Sequence, residues 1–130
     1  MSMLEILPIL AYVLAVVVIL LVATRREAAA SSWLFPALIA AAFIAFSAVT
    51  FVGEGLIQFW VNHTTNLAGN QVWFDLLSAV TISFYLIAPR ARAVGMKLLP
   101  WGIAVFATAC IALLPMVARL MWLEAAQRRA

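Results

Sequence analysis

Five side chains in this sequence could do more than pack: the carboxylates Glu54 and Asp75, the amide Gln58, the cation Arg119 and the only histidine, His63. Glu54 lies well inside an apolar run. On a helix turning about 100° per residue, Ser47, Thr50, Glu54 and Gln58 fall on one stripe. Asp75, Ser78, Thr81 and Tyr85 make a second such stripe further on. A charge in hydrocarbon costs about 2.5 to 3.5 kcal/mol on insertion scales, so these groups are expected to face other helices and find partners. The spacing predicts that Arg119 pairs with Glu54, with Asp75 or with both. Two chemistries fit such a cluster. One is a proton- or ion-coupled site in an outward vestibule, with His63 above it. The other is interhelical hydrogen bonding, each bond contributing about 0.6 kcal/mol.

Other chemistries lack their motifs. A metal site needs three or four converging ligands, and the surroundings of His63 offer no such spacing. Cys110 is the only cysteine, which excludes an internal disulfide and a CxxC redox centre. HExxH, GxSxG and paired membrane histidines are absent, so no catalytic residue is assigned and a non-enzymatic role is expected. The sequence names no cofactor, since an apolar groove for a quinone or pigment leaves no motif.

The elements that must position these residues are membrane spans. The 130 residues are 68% hydrophobic and 10% charged, with a mean hydropathy of +1.14. A water-soluble domain needs about a quarter of its residues charged, so lipid is the solvent. Four continuous apolar runs appear, at about Ile6 to Thr24, Trp33 to Trp60, Val72 to Ala88 and Leu98 to Ala118. Each is long enough to cross about 30 Å of hydrocarbon as a helix. Continuity excludes the alternating pattern of a barrel. The expectation is an all-α, polytopic membrane protein, a four-transmembrane-helix bundle formed as one domain over residues 1–130.

Along the chain, the first run is almost free of polar atoms. Ser31 and Ser32 can cap the second, with Trp33 and Trp60 as interface anchors. Ala37, Ala41, Ala45 and Ala48 form a small-residue seam on the second run, and Ala104, Thr108 and Ala112 form one on the fourth. Val61 to Gln71 reads as an outer loop of turn formers. Pro89 is expected to stop the third helix, Gly95 to turn the chain back, and Pro115 to kink the fourth helix. The tail from Met121 to Ala130 reads as an amphipathic surface segment.

The net charge of +3 reflects cations flanking spans and does not indicate a nucleic-acid partner. Arg25 and Arg26 lie in the first loop, and Arg90, Arg92 and Lys97 in the third. The positive-inside rule makes both loops cytoplasmic and sends both termini to the other side. Arg128 and Arg129 then stand on the wrong side.

The segments Gly53-Glu54-Gly55, Asn66, Asp75-Leu76-Leu77, Ala91-Arg92, Gly95-Met96, Trp101 and Leu114-Pro115 with Arg119 beyond resemble a family of small bacterial four-span integral membrane proteins known as a domain of unknown function. The resemblance covers mainly residues 54–119. This chain departs from the pattern at Ala88-Pro89-Arg90, which lacks the family's acidic residue, and in the separation of Arg119 from Glu124. The resemblance implies a multi-pass protein of the bacterial inner membrane and adds no catalytic residues. Two function classes follow. The first is a non-catalytic subunit or assembly partner of a larger membrane complex, docking through its small-residue seams. The alternative is a small homo-oligomeric transporter or channel using Glu54 and Asp75. Expected partners are the lipid bilayer and either other membrane subunits or further copies of the chain.

Overall fold

The computed structural model describes residues 2–24 and 32–129, and these are helical almost throughout. Arg25, Arg26 and the cap candidate Ser31 lie outside the described residues. Six helices follow one another: α1 (Met3–Thr24), α2 (Leu34–Glu54), α3 (Leu56–Thr64), α4 (Leu67–Ala93), α5 (Leu98–Thr108) and α6 (Cys110–Gln127). The fold is all-α, and α1, α2, α4 and α6 are long and apolar enough to cross a membrane. Where the sequence suggests one domain, the chain divides into two compact units, Met1–Ser32 and Trp33–Ala130.

The first unit is α1 alone. Its start is set by a reciprocal capping box. The Glu5 N–H donates to Ser2 Oγ at 3.3 Å, and the Ser2 N–H donates to the Glu5 carboxylate at 2.6 Å. Twenty-two residues give a rod of about 33 Å, close to the hydrocarbon thickness.

In the second unit, four of the expected boundaries move. The run from Trp33 to Trp60 is not one helix. Gly55 adopts φ 80° and ψ 162°, a conformation only glycine holds cheaply, and α2 ends there. The Phe51 and Phe59 rings then meet edge to face with centroids 5.2 Å apart. On an uninterrupted helix those residues would be separated by about 12 Å of rise. The expected outer loop is also mostly helical. Its first residues belong to α3, its last to α4, and only Thr65 and Asn66 turn. Asn66 caps α4 by accepting the Gly69 N–H at 2.8 Å.

Pro89 does not stop α4, which continues to Ala93. The stop is made at Gly95, whose φ of 78° supplies the left-handed residue of a Schellman motif. The Met96 N–H donates to the Ala91 carbonyl at 2.9 Å and the Gly95 N–H to that of Arg92 at 3.0 Å. Pro89 lacks only its own N–H, and the residues after it still close the last turn.

The largest departure concerns the fourth run, which is two helices rather than one. Ala109 takes φ 49° and ψ −119°, ending α5 and starting α6. Its N–H donates to the Val105 carbonyl at 2.7 Å, while its own carbonyl accepts from Leu113 at 3.1 Å. The chain reverses here. A straight helix from Leu98 would carry Glu124 about 39 Å away, yet Glu124 is bonded to Arg90, near the end of α4. The segment read as an amphipathic tail is therefore mostly the last turns of α6.

The core sits where α6 returns between its neighbours. Leu113, Met116 and Leu120 lie on one face of α6 and join Val80 and Ala91 of α4, Val105 of α5 and Met96 of the turn in one buried cluster. Met116 and Leu120 are wholly enclosed. Ala118, on the other side of α6, is buried too, and α2 packs along α6 with Pro36, Ala40 and Ser47 inward. The seam used is thus not the expected one. Ala37 is half-buried, while Ala41, Ala45 and Ala48 remain exposed.

Candidate functional site

The residues of the expected polar cluster are all exposed, and among the described residues no ion pair joins them. Glu54 is exposed at the carboxyl end of α2, and Gln58 is exposed on α3, beyond the Gly55 break that takes it off the Glu54 stripe. Asp75 is exposed on α4 and Arg119 on α6. Among the described residues, Arg119 forms no ion pair with Glu54 or Asp75. The reason is the reversal at Ala109. The expected pairing assumed a helix climbing from Leu98 to the outer face, whereas residue 119 is already on the way back, about 8 Å of rise from Glu124. Asp75 is about 22 Å of rise from Arg90 on α4, toward the opposite end.

The second stripe faces outward as well. Asp75, Ser78, Thr81 and Tyr85 are all exposed, and α4 turns Val80, Ala88 and Ala91 into the core instead. The threonine hydroxyls do not stitch helices together either. Thr50 bonds the Phe46 carbonyl at 2.9 Å, Thr64 that of Trp60 and Thr108 that of Ala104, each one turn back in its own helix.

Among the described residues, the polar contact that joins two helices is Arg90 with Glu124. Arg90 Nε donates to Glu124 Oε1 at 2.8 Å and Nη2 to Oε2 at 2.7 Å. The fork is bidentate and charge-assisted. Arg90 is 55% exposed, which limits the contribution to about 1 kcal/mol or less. A double-mutant cycle with Arg90→Gln and Glu124→Gln is expected to return a coupling of that size, measured by unfolding in mixed micelles. Additive single effects would mean the fork contributes nothing. Arg128 and Gln127 border the same cleft, and Arg92 and Lys97 lie within a few residues of Arg90. One end of the unit is therefore strongly cationic. No sequence signal identifies the Arg90–Glu124 pair in advance, because it depends on the reversal.

An aromatic group forms where α3 meets α4. His63 is half-buried, its Nδ1 lies 2.8 Å from the Phe59 carbonyl, and its ring stands edge-on to Trp73 at 6.0 Å. Trp60 flanks Trp73 at 6.2 Å. The Trp73 indole N–H is buried with no acceptor among the described residues. The two helices approach so closely that a Cβ at Gly69 would come within 3.0 Å of the His63 backbone. Gly69→Ala is expected to cost about 1–3 kcal/mol by overpacking, read as a lowered unfolding midpoint, whereas an unchanged midpoint would mean the α3–α4 approach is not tight. No group of three or more metal-ligating side chains occurs among the described residues. No protein-family model, curated protein or solved structure matches this chain significantly.

Proposed function

We propose that the chain is a non-catalytic integral membrane subunit or assembly partner of a larger complex in the bacterial inner membrane. One observation carries the reading: the Asp75, Ser78, Thr81 and Tyr85 stripe of α4 is uncovered by any of α2, α3, α5 or α6. Polar groups in hydrocarbon face protein or water rather than lipid. Between Tyr12 and Thr24 helix α1 has no polar side chain, so its midsection offers that stripe no hydrogen-bond partner. A partner helix with hydroxyl or amide side chains would satisfy it. The exposed Ala41, Ala45 and Ala48 of α2 supply a second surface where a backbone can come close.

The same reading includes a topology. Helix α5 rises only about 16 Å, half the hydrocarbon thickness, and α6 returns toward Arg90. The α5–α6 hairpin then enters and leaves by one face. Arg90, Arg92, Lys97, Arg128 and Arg129 then share one face of the second unit, which the positive-inside rule makes cytoplasmic. The carboxyl terminus then faces inward, which removes the misplaced Arg128 and Arg129 of the two-termini-outside arrangement.

The test is mild extraction of the tagged protein from its native membrane, followed by identification of what comes with it. A particle containing other polypeptides, lost in Ser78→Leu/Thr81→Leu while helicity is retained, supports the subunit role. A particle made of this chain alone contradicts it and favours the homo-oligomeric transporter. In that case Glu54 and Asp75, exposed and without an ion pair among the described residues, are the groups to neutralise in flux assays.

A further inference from the structure

An apolar groove of about 490 Å³ runs between α4 and α5. Gly102 forms its floor, where an added Cβ would sit 3.4 Å from the Phe84 ring. Leu99, Ile103 and Phe106 continue the lining along α5, and the only charged group in the wall is Arg92, on the last turn of α4. From Leu98 to Phe106 the groove follows about 12 Å of helix, a little less than one leaflet of hydrocarbon, about 15 Å. Its dimensions and polarity are those of one acyl chain with an anion at one end.

The charges argue for the same occupant. Arg92 is exposed and forms no ion pair among the described residues, its neighbour Arg90 being the one taken by Glu124. Lys97 immediately precedes α5, so a second cation stands at the same end. The Leu98 and Leu99 N–H groups that open α5 are also at that end, Pro100 having none, and a phosphate is favoured there. Basic pockets between helices at the cytoplasmic face suit anionic headgroups. Phosphatidylcholine would bring a quaternary ammonium toward the same cations.

The geometry points to a specific site for one anionic phospholipid, with its phosphate at Arg92 and Lys97 and one acyl chain laid along the Gly102 floor between Phe84 and Phe106. This does not depend on the subunit reading, since the groove belongs to this chain alone.

The test uses the purified full-length protein in mild detergent, titrated with dioleoyl-phosphatidylglycerol or dioleoyl-phosphatidylcholine, with retained lipid counted by native mass spectrometry. The wild type is expected to retain one phosphatidylglycerol with a preference of about five- to tenfold over phosphatidylcholine. Arg92→Gln should bring the two lipids close to parity. Gly102→Leu should abolish retention of both by filling the groove. The double variant Arg128→Gln/Arg129→Gln, outside the groove, should keep the preference. Equal retention of the two lipids by the wild type overturns the proposal. So does a loss in the Arg128/Arg129 variant as large as that in Arg92→Gln, since diffuse charge would then explain the preference. Arg92 is exposed, so its variant reads the site even if Gly102→Leu fails to fold.

Discussion

Ala109→Gly is expected to stabilise the second unit by about 0.5–1 kcal/mol, and Ala109→Pro to cost about 3 kcal/mol or more. Both follow from one backbone geometry. An L-residue at φ 49° holds its Cβ against a carbonyl oxygen, at a cost of about 1–3 kcal/mol, and glycine removes that clash. Part of the gain is returned through the greater unfolded-state entropy of glycine. Proline fails twice, because its φ is fixed near −65° and because the Ala109 N–H is used, bonding Val105 at 2.7 Å. Mid-helix, the glycine substitution would have the opposite sign. Ala→Gly would cost about 1 kcal/mol. The sign of the glycine effect, read by unfolding in mixed micelles, therefore reports directly whether Ala109 is a turn or a helical residue.

Leu120→Ala is expected to cost about 1–3 kcal/mol. Leu120 is fully enclosed beside Met116, in the cluster where α4, α5 and α6 meet. In soluble cores such truncations cost about 2–5 kcal/mol, made up of a transfer term and a cavity term. Lipid tails are as apolar as leucine, so the transfer term falls away and the lost packing remains. Leu99→Ala is the matched control. Leu99 is 77% exposed, and its truncation should change stability by less than about 0.5 kcal/mol. Equal effects at the two positions would mean that α6 does not return into a packed core.

These two residues also mark what the sequence could and could not disclose. The all-α class and the existence of several apolar spans follow from long unbroken apolar runs, and helical burial on α6 at 113, 116 and 120 keeps ordinary periodicity. Some boundaries carry local sequence signals. Gly53-Glu54-Gly55 offered a break in the second run, Ser2 with Glu5 spelled a capping box, and Gly95 carried the stop that Pro89 was expected to make. Ala109 is different. Alanine is the strongest helix former, so local propensity argues for continuation at the residue where the chain turns, and only the packing of α6 on α2, α4 and α5 selects the strained conformation.

The expected pairing of Arg119 with Glu54 or Asp75 is missing for the same reason. Equal depth of Glu54, Asp75 and Arg119 was a deduction from a straight fourth helix, and once the helix folds back, Arg119 leaves the outer end and Glu124 reaches Arg90. The stripe at Asp75, Ser78, Thr81 and Tyr85 was found correctly by its spacing but given the wrong neighbours. Spacing shows that residues share a face. It does not show whether the covering helix belongs to the same chain. The one hint of the reversal in the sequence was electrostatic, in the two arginines at 128 and 129 that no straight four-span arrangement could put with the other cations.

The side of the membrane reached by the carboxyl terminus tests the account most directly. With Cys110 replaced by alanine, single cysteines are introduced as Asn62→Cys, Ala93→Cys and Gln127→Cys, all exposed positions, and treated with a membrane-impermeant maleimide in intact and permeabilised cells. A chain that reverses at Ala109 predicts labelling of Asn62→Cys in intact cells, with Ala93→Cys and Gln127→Cys labelled only after permeabilisation. Labelling of Gln127→Cys together with Asn62→Cys in intact cells would contradict it, because the carboxyl end of α6 would then lie on the side opposite Ala93, away from Arg90.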